Sequence, residues 1–278
     1  MITTQRMENG FEYLEIRNAA AEAKIALQGA HLFHYRRHGE APLLWVSAAS
    51  PFETGTAIRG GVPVCWPWFG MSSDPSLPQH GFARTMMWTV AQAEEIDADT
   101  TRVVLRLAPS EATLKLWPHR FALILEITVG AVLSMALTTT NADDRPFTLG
   151  AALHTYFAVS QIGSVRVEGL EGKPYFDALT GTRHRQEGAI GFAEETDRVY
   201  QEVDGAILLV DGSRTVTIAN EGSASAVVWN PWIAKCSRMS GMTPDSYLTM
   251  LCIESANAME DVRTLQPGAS HTLKAVIG

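Results

Sequence analysis

The sequence predicts an all-β protein built from antiparallel sheets, arranged as a large sandwich. Three observations carry this reading. Short runs with a period of two recur along the chain, Gly, Pro, Asn or Asp punctuates nearly every gap between them, and no segment shows an amphipathic helix of three turns or more. A closed barrel seldom needs so many strands, and no fixed-period repeat marks a propeller.

In chain order, YLEIRN (13–18) and AKIALQ (23–28) open the pattern, and AHLFHYRRHGEAP then reads as a strand entering a basic turn. VVLRLA (103–108), FALILEITV (121–129) and VLSMALTTT (132–140) follow. SEATLKLWPHRF, which precedes FALILEITV, can hold a helical turn before Pro118, where the ring ends helical geometry. Glu126 interrupts an apolar run but shares its face with Ala122, Ile124 and Thr128, which places it outward or at a sheet edge. The later strands are VRVEGL (165–170), AILLV (206–210), TVTIAN (215–220), AVVWN (226–230), YLTMLCIE (247–254) and HTLKAVI (271–277).

No Ser/Gly/Pro-rich spacer, charge block or low-complexity tract divides the 278 residues, so 1–278 is read as a single domain. The hydrophobic fraction of 46% is enough for a substantial core. A net charge of −8 with no basic run argues against nucleic acid and anionic membrane as partners. Apolar stretches are too short to span a bilayer, and MITTQRMENGF lacks the basic-then-apolar order of a signal peptide. Cys65, Cys236 and Cys252, odd in number and widely spaced, suit reduced thiols in a cytoplasmic protein. The oligomeric state stays open, a monomer included.

The stretch 58–84, IRGGVPVCWPWFGMSSDPSLPQHGFAR, is the most informative about function. It gathers Arg59, Arg84 and His80 with Trp66, Trp68, Phe69 and Phe82 on loops rich in glycine and proline. Cations, an imidazole and aromatic faces on rigid loops suit an anionic, partly apolar small molecule; a loop plugging the end of a sandwich is the alternative. In GAALHTYFAVS, alternation sets His154 on a face with Ala152, Tyr156 and Ala158, leaving room beside the imidazole; a core histidine bonded to backbone is the competing reading. In SYLTMLCIESAN, Glu254 shares a face with Met250 and Cys252. A carboxyl ending an apolar strand has its pKa raised by desolvation, as a general base requires, unless it leans into solvent. Trp229 and Trp232 in WNPW, followed by Lys235, could stack on sugar or simply fill the core.

Other chemistries fail by absence. There is no G-x-S-x-G elbow, no phosphate-binding G-x-x-x-x-G-K-[ST] loop, no H-E-x-x-H and no paired-cysteine spacing, so neither a metal nor a cofactor is expected. His31, His34 and His38 form the one histidine cluster, but their strand-into-turn setting makes a poor metal site.

Taken together, IRGGVPVCWPWFG, PQHGFAR, LHTYFAVS, TDRVYQ, VVWNPW and MLCIE, in that order across 58–254, resemble the hexose-6-phosphate mutarotases. These are a branch of the aldose 1-epimerase, or galactose mutarotase-like, superfamily. The resemblance implies a single-domain antiparallel β-supersandwich with no required cofactor and a phosphorylated hexose as its small-molecule partner. By position, His154 and Glu254 match the catalytic pair, Arg59, Gln79 and Arg84 match residues that hold substrate and its phosphate, and Asp197 matches a partner of a substrate hydroxyl. His80 sits beside these and would bind sugar oxygen. Gly241, in MSGMTPDSY, departs from the pattern near a position where an acidic residue is expected.

The implied reaction interconverts α and β anomers of a hexose 6-phosphate, with glucose 6-phosphate foremost. Glu254 would act as base toward the C1 hydroxyl and His154 as acid toward the ring oxygen. Two arginines in an acidic protein favour an anionic sugar over galactose. The principal alternative is a non-catalytic carbohydrate-binding sandwich. A lyase or glycoside hydrolase on the same fold, or an interaction domain, ranks behind it; a hydrolase usually needs a second carboxylate.

Overall fold

A computed structural model describes residues 1–278, and its strands pair throughout in antiparallel register. The larger sheet runs in the order Ile190–Gly191, Val165–Glu168, Ile207–Asp211, Arg214–Glu221, Ser270–Ile277, Leu133–Asn141, Phe121–Val129, Thr101–Leu107 and Thr89–Glu95. The second runs Thr182–Arg185, Pro174–Asp177, Thr196–Tyr200, Ser225–Asn230, Met250–Asn257, Ala151–Leu153 and Val64–Cys65, and Tyr156–Ala158 also pairs with Met250–Asn257. A four-stranded sheet, Ile2–Arg6 to His31–Arg37, and the pair Phe147–Leu149 with Arg263–Leu265 complete the framework.

Alternation explains which faces close on each other. In Phe121–Val129 the odd-numbered residues are buried, while Glu126 turns outward and meets Arg102 at 3.3 Å. Leu133–Asn141 repeats the pattern, and both strands feed a core that extends from Leu14 to Ile277. Met250–Asn257 differs because every residue is buried. Leu251 and Ile253 enter the main core, whereas Met250, Cys252 and Ala256 join a second apolar cluster with Tyr156, Val227 and Trp229. A strand covered on both faces can carry a carboxyl into an enclosed space, and Glu254 lies on the side of the second cluster.

The strand expected over 247–254 begins only at Met250, because Ser246–Leu248 is a single 3-10 turn. The helical turn expected before Pro118 is Glu111–Leu116. Ser110 caps it: its side chain accepts from the Thr113 backbone N–H, and the Thr113 hydroxyl oxygen accepts from the Ser110 N–H. Trp117 leaves helical geometry at φ −150°, as the residue before a proline tends to.

Candidate active site

The 58–84 segment is held in place by close backbone contacts that only glycine allows. Gly60 has φ +115°, and a Cβ there would lie 2.4 Å from the Trp45 carbonyl oxygen. Gly81 has φ +70°, and its Cβ would lie 2.0 Å from the Trp66 carbonyl oxygen, which also accepts from the Phe82 N–H at 3.0 Å. These contacts bring Arg59, Gln79, His80 and Arg84 to one wall of a cavity of about 560 Å³. His154, Asp197 and Glu254 also line it, so all seven residues nominated from the sequence share one space.

His154 follows Ala151–Leu153, and its N–H donates to the Pro63 carbonyl at 3.0 Å. Its ring stacks on Tyr156 (4.9 Å between centroids, 10° between planes) and meets His80 and Trp229 edge to face. The imidazole therefore packs among aromatic rings, and Ala152 joins the second cluster. His154 Nε2 is 3.3 Å from Glu254 Oε1. His154 Nδ1 and Glu254 Oε2 have no partner, although both side chains are buried. Such orphaned polar atoms are costly in a folded interior, and a ligand hydroxyl would satisfy them.

The electrostatics follow from enclosure. Burial pushes the Glu254 carboxyl well above its ordinary range, Asp197 adds to the rise and Arg84 opposes it. Burial likewise drives His154 well below its usual value, with His80, Arg84 and Arg59 adding repulsion. Both shifts favour the neutral pair, a protonated Glu254 beside an uncharged His154. His80 is pushed down to about 3 by burial and then by Arg84 and Arg59. Its Nδ1 accepts from the Gly70 N–H at 3.1 Å, so the neutral ring carries hydrogen on Nε2.

Asp197, in Thr196–Tyr200, faces Trp229 across the sheet, and its carboxyl is raised by burial against the pull of Lys235. Lys235 Nζ lies 3.2 Å from Asp197, 3.0 Å from Glu195 and 5.7 Å above the Trp229 ring. Sequence reasoning gave Lys235 no role; its signal was only its place after WNPW, where the short helix Trp232–Cys236 turns it back into the cavity. Tyr156 and Met239 are further wall residues it gave no role, and Phe69, which it grouped with the two arginines, lines the wall as well.

Arg59 and Arg84 have no carboxylate partner. Arg59 Nε donates to the Ser240 carbonyl at 3.2 Å, and Arg84 to the Gln79 carbonyl at 2.8 Å. Gly241 lies against the Arg59 stem, where a Cβ would come 3.0 Å from Cγ, and no acidic side chain faces Arg59 from that position. Cys252 brings its sulfur within 4.8 Å of donor atoms on His154 and Glu254. Burial holds both the thiol and the carboxyl protonated, so a cation there would have to displace two protons. His31, His34 and His38 point to separate partners: the Gly60 carbonyl, Glu22 and the Asn18 carbonyl.

The antiparallel sandwich thus carries a buried imidazole–carboxyl pair on the wall of one cavity. The Aldose 1-epimerase family model matches residues 12–278, and the chain belongs to that family. It is 35% identical over 279 residues to a protein of Escherichia coli (strain K12) named "Putative glucose-6-phosphate 1-epimerase", covering 99% of this chain and 93% of that one. Among solved structures it is similar to a "putative mutarotase" from Salmonella typhimurium, with a TM-score of 0.93, 33% identity and coverage of 99% and 92%. A galactose mutarotase related enzyme from Lactobacillus acidophilus shares the fold at a TM-score of 0.73 and 15% identity, over 95% and 96% of the two chains. The fold is therefore galactose mutarotase-like. No helix is long and apolar enough to cross a membrane.

Proposed function

We propose that this protein is a mutarotase for hexose 6-phosphates, with glucose 6-phosphate its first candidate substrate. One observation carries the choice of a phosphorylated sugar: two guanidinium groups without carboxylate partners share a cavity wall with the His154–Glu254 pair. A guanidinium fork matches phosphate oxygens in pairs and stays charged at every relevant pH. The cavity volume falls in the range typical of small-molecule sites. The name of the E. coli relative agrees with this reading.

In the reactive form Glu254 is ionised and His154 protonated, the same total charge as the neutral pair with one proton moved. Glu254 takes the proton of the C1 hydroxyl while His154 gives its proton to the ring oxygen. The C1–O5 bond breaks, the O1 electron pair forms the aldehyde, and Glu254 is left protonated with His154 neutral. Rotation about C1–C2 and closure on the other face reverse both transfers. Asp197, held by Lys235, and Nε2–H of His80 supply polar contacts for sugar oxygens. Three free, buried cysteines suit a reducing compartment such as the cytoplasm.

Exchange NMR of the anomeric protons of glucose 6-phosphate, with glucose and galactose alongside, tests the reading. Catalysed exchange of the phosphorylated sugar that Glu254→Gln abolishes is expected. A preference for free sugars would remove the phosphate assignment, and sugar binding without faster exchange would make the protein a carbohydrate-binding module.

A further inference from the structure

Apart from Arg59 and Arg84, the cation of the cavity wall is paired, Lys235 with Glu195 and Asp197, while burial favours the neutral forms of His154 and Glu254. The two arginines approach from opposite ends of the 58–84 segment, and each is fixed by a backbone carbonyl rather than by a counter-charge. Two guanidinium groups without a carboxylate partner therefore share the cavity with a buried imidazole.

We propose that a phosphate dianion held by Arg59 and Arg84 activates the His154–Glu254 pair in its own right, so that free phosphate accelerates anomer exchange of a hexose carrying no phosphate. The inference rests on the mutarotase reading above and goes beyond it, because there the arginines serve only to anchor substrate.

The titratable and charged groups around His154 are His80, Arg59, Arg84, Tyr156, Cys252, Glu254 and, across the cavity, Asp197 with Lys235. Burial keeps Tyr156 and Cys252 uncharged, and His80 is neutral. Arg84 and Arg59 both repel a proton on His154. A dianion that cancels both arginine charges therefore favours a proton on His154. The proton moves from the Glu254 carboxyl to His154 with no change in total charge. That transfer creates the base and the acid that ring opening consumes. A C6 phosphate supplies the dianion together with a tether, and inorganic phosphate supplies the charge alone.

The test follows glucose exchange by NMR as inorganic phosphate is raised at constant ionic strength, after subtracting phosphate's own catalysis measured without protein. Since one unit in the His154 pKa changes the protonated fraction roughly tenfold, a saturable rise of about tenfold or more in kcat/KM for glucose is expected. Arg84→Gln and Arg59→Gln should each weaken the rise. Independently, ¹⁵N-histidine spectra should show the His154 ring, assigned by its loss in His154→Asn, moving toward imidazolium as phosphate binds. Fast exchange of glucose 6-phosphate, with glucose unaffected or inhibited by phosphate, would overturn the proposal and leave the arginines as anchors. No acceleration of glucose 6-phosphate would remove the mutarotase reading itself, and this inference with it.

Discussion

Glu254 is a single carboxyl whose surroundings set both its chemistry and its effect on stability. Replacing it with Gln keeps the shape and removes the proton acceptor, so exchange of glucose 6-phosphate should fall by about 10²–10⁴-fold, the range for a positioned acid–base group. Stability should move the other way. The folded pKa lies above the ordinary value of 4.5, so the native state holds this proton more tightly than the unfolded chain. That contribution is complete below pH 4.5 and is lost as pH rises toward the folded value, at about 1.4 kcal/mol per pH unit. Urea unfolding should therefore show Glu254→Gln gaining on wild type as the solution becomes more alkaline. An unchanged difference from acid to alkaline pH would mean that the carboxyl is ordinarily solvated. Lys235 belongs to the same scale. Lys235→Met strips Asp197 of its only cation and should raise KM more than it lowers kcat, as steady-state rates would show.

At the scale of elements, the two-residue period located the strands that bury one face, because a buried face demands alternation. It could not locate Thr89–Glu95, an edge strand exposed almost throughout, where no side of the pleat needs apolar residues. The hairpin Pro174–Asp177 with Thr182–Arg185 escaped for a similar reason: its outer strand is fully exposed. The 58–84 segment was legible as a glycine-bearing, aromatic, cationic loop, but the need for its glycines comes from close backbone contacts, Gly60 against Trp45 and Gly81 against Trp66 within the segment itself. Gly81→Ala tests that. With φ +70° and the Trp66 carbonyl in the way, the added methyl should cost about 1–3 kcal/mol of stability. Since His80 and Arg84 flank it, activity should fall as well. Equal urea midpoints for the variant and wild type would show that the segment has room to shift.

For the whole molecule, we propose that residues 1–278 unfold as one cooperative unit, since the main apolar core takes side chains from Leu14 to Ile277. Calorimetric and van't Hoff enthalpies should agree, and two separated transitions would contradict the proposal. Acid should destabilise this unit. His31, buried against the Gly60 carbonyl, is pushed down to about 4 by burial, so the unfolded chain takes up a proton below pH 6.5 that the native state refuses until about pH 4. His80, His154 and His271 act in the same direction, while the raised carboxyls of Glu254 and Asp197 oppose them. The net sign is a loss of stability on acidification through this window, with His31 contributing a slope of about 1.4 kcal/mol per pH unit. Urea midpoints that stay level between neutral and mildly acidic pH would show that these imidazoles are not held neutral.

The sequence by itself determined the all-β class, the strands with one buried face, and the residue types His154, Glu254, Arg59 and Arg84, because periodicity and local chemistry are written along the chain. Tertiary structure alone decided that these side chains meet in one cavity, that Tyr156 stacks on the imidazole and that Lys235 turns back onto Asp197. It also set the direction in which the proton affinities of Glu254 and His154 move. Burial and the summed field of distant charges set that balance, and neither exists until strands far apart in sequence pack together.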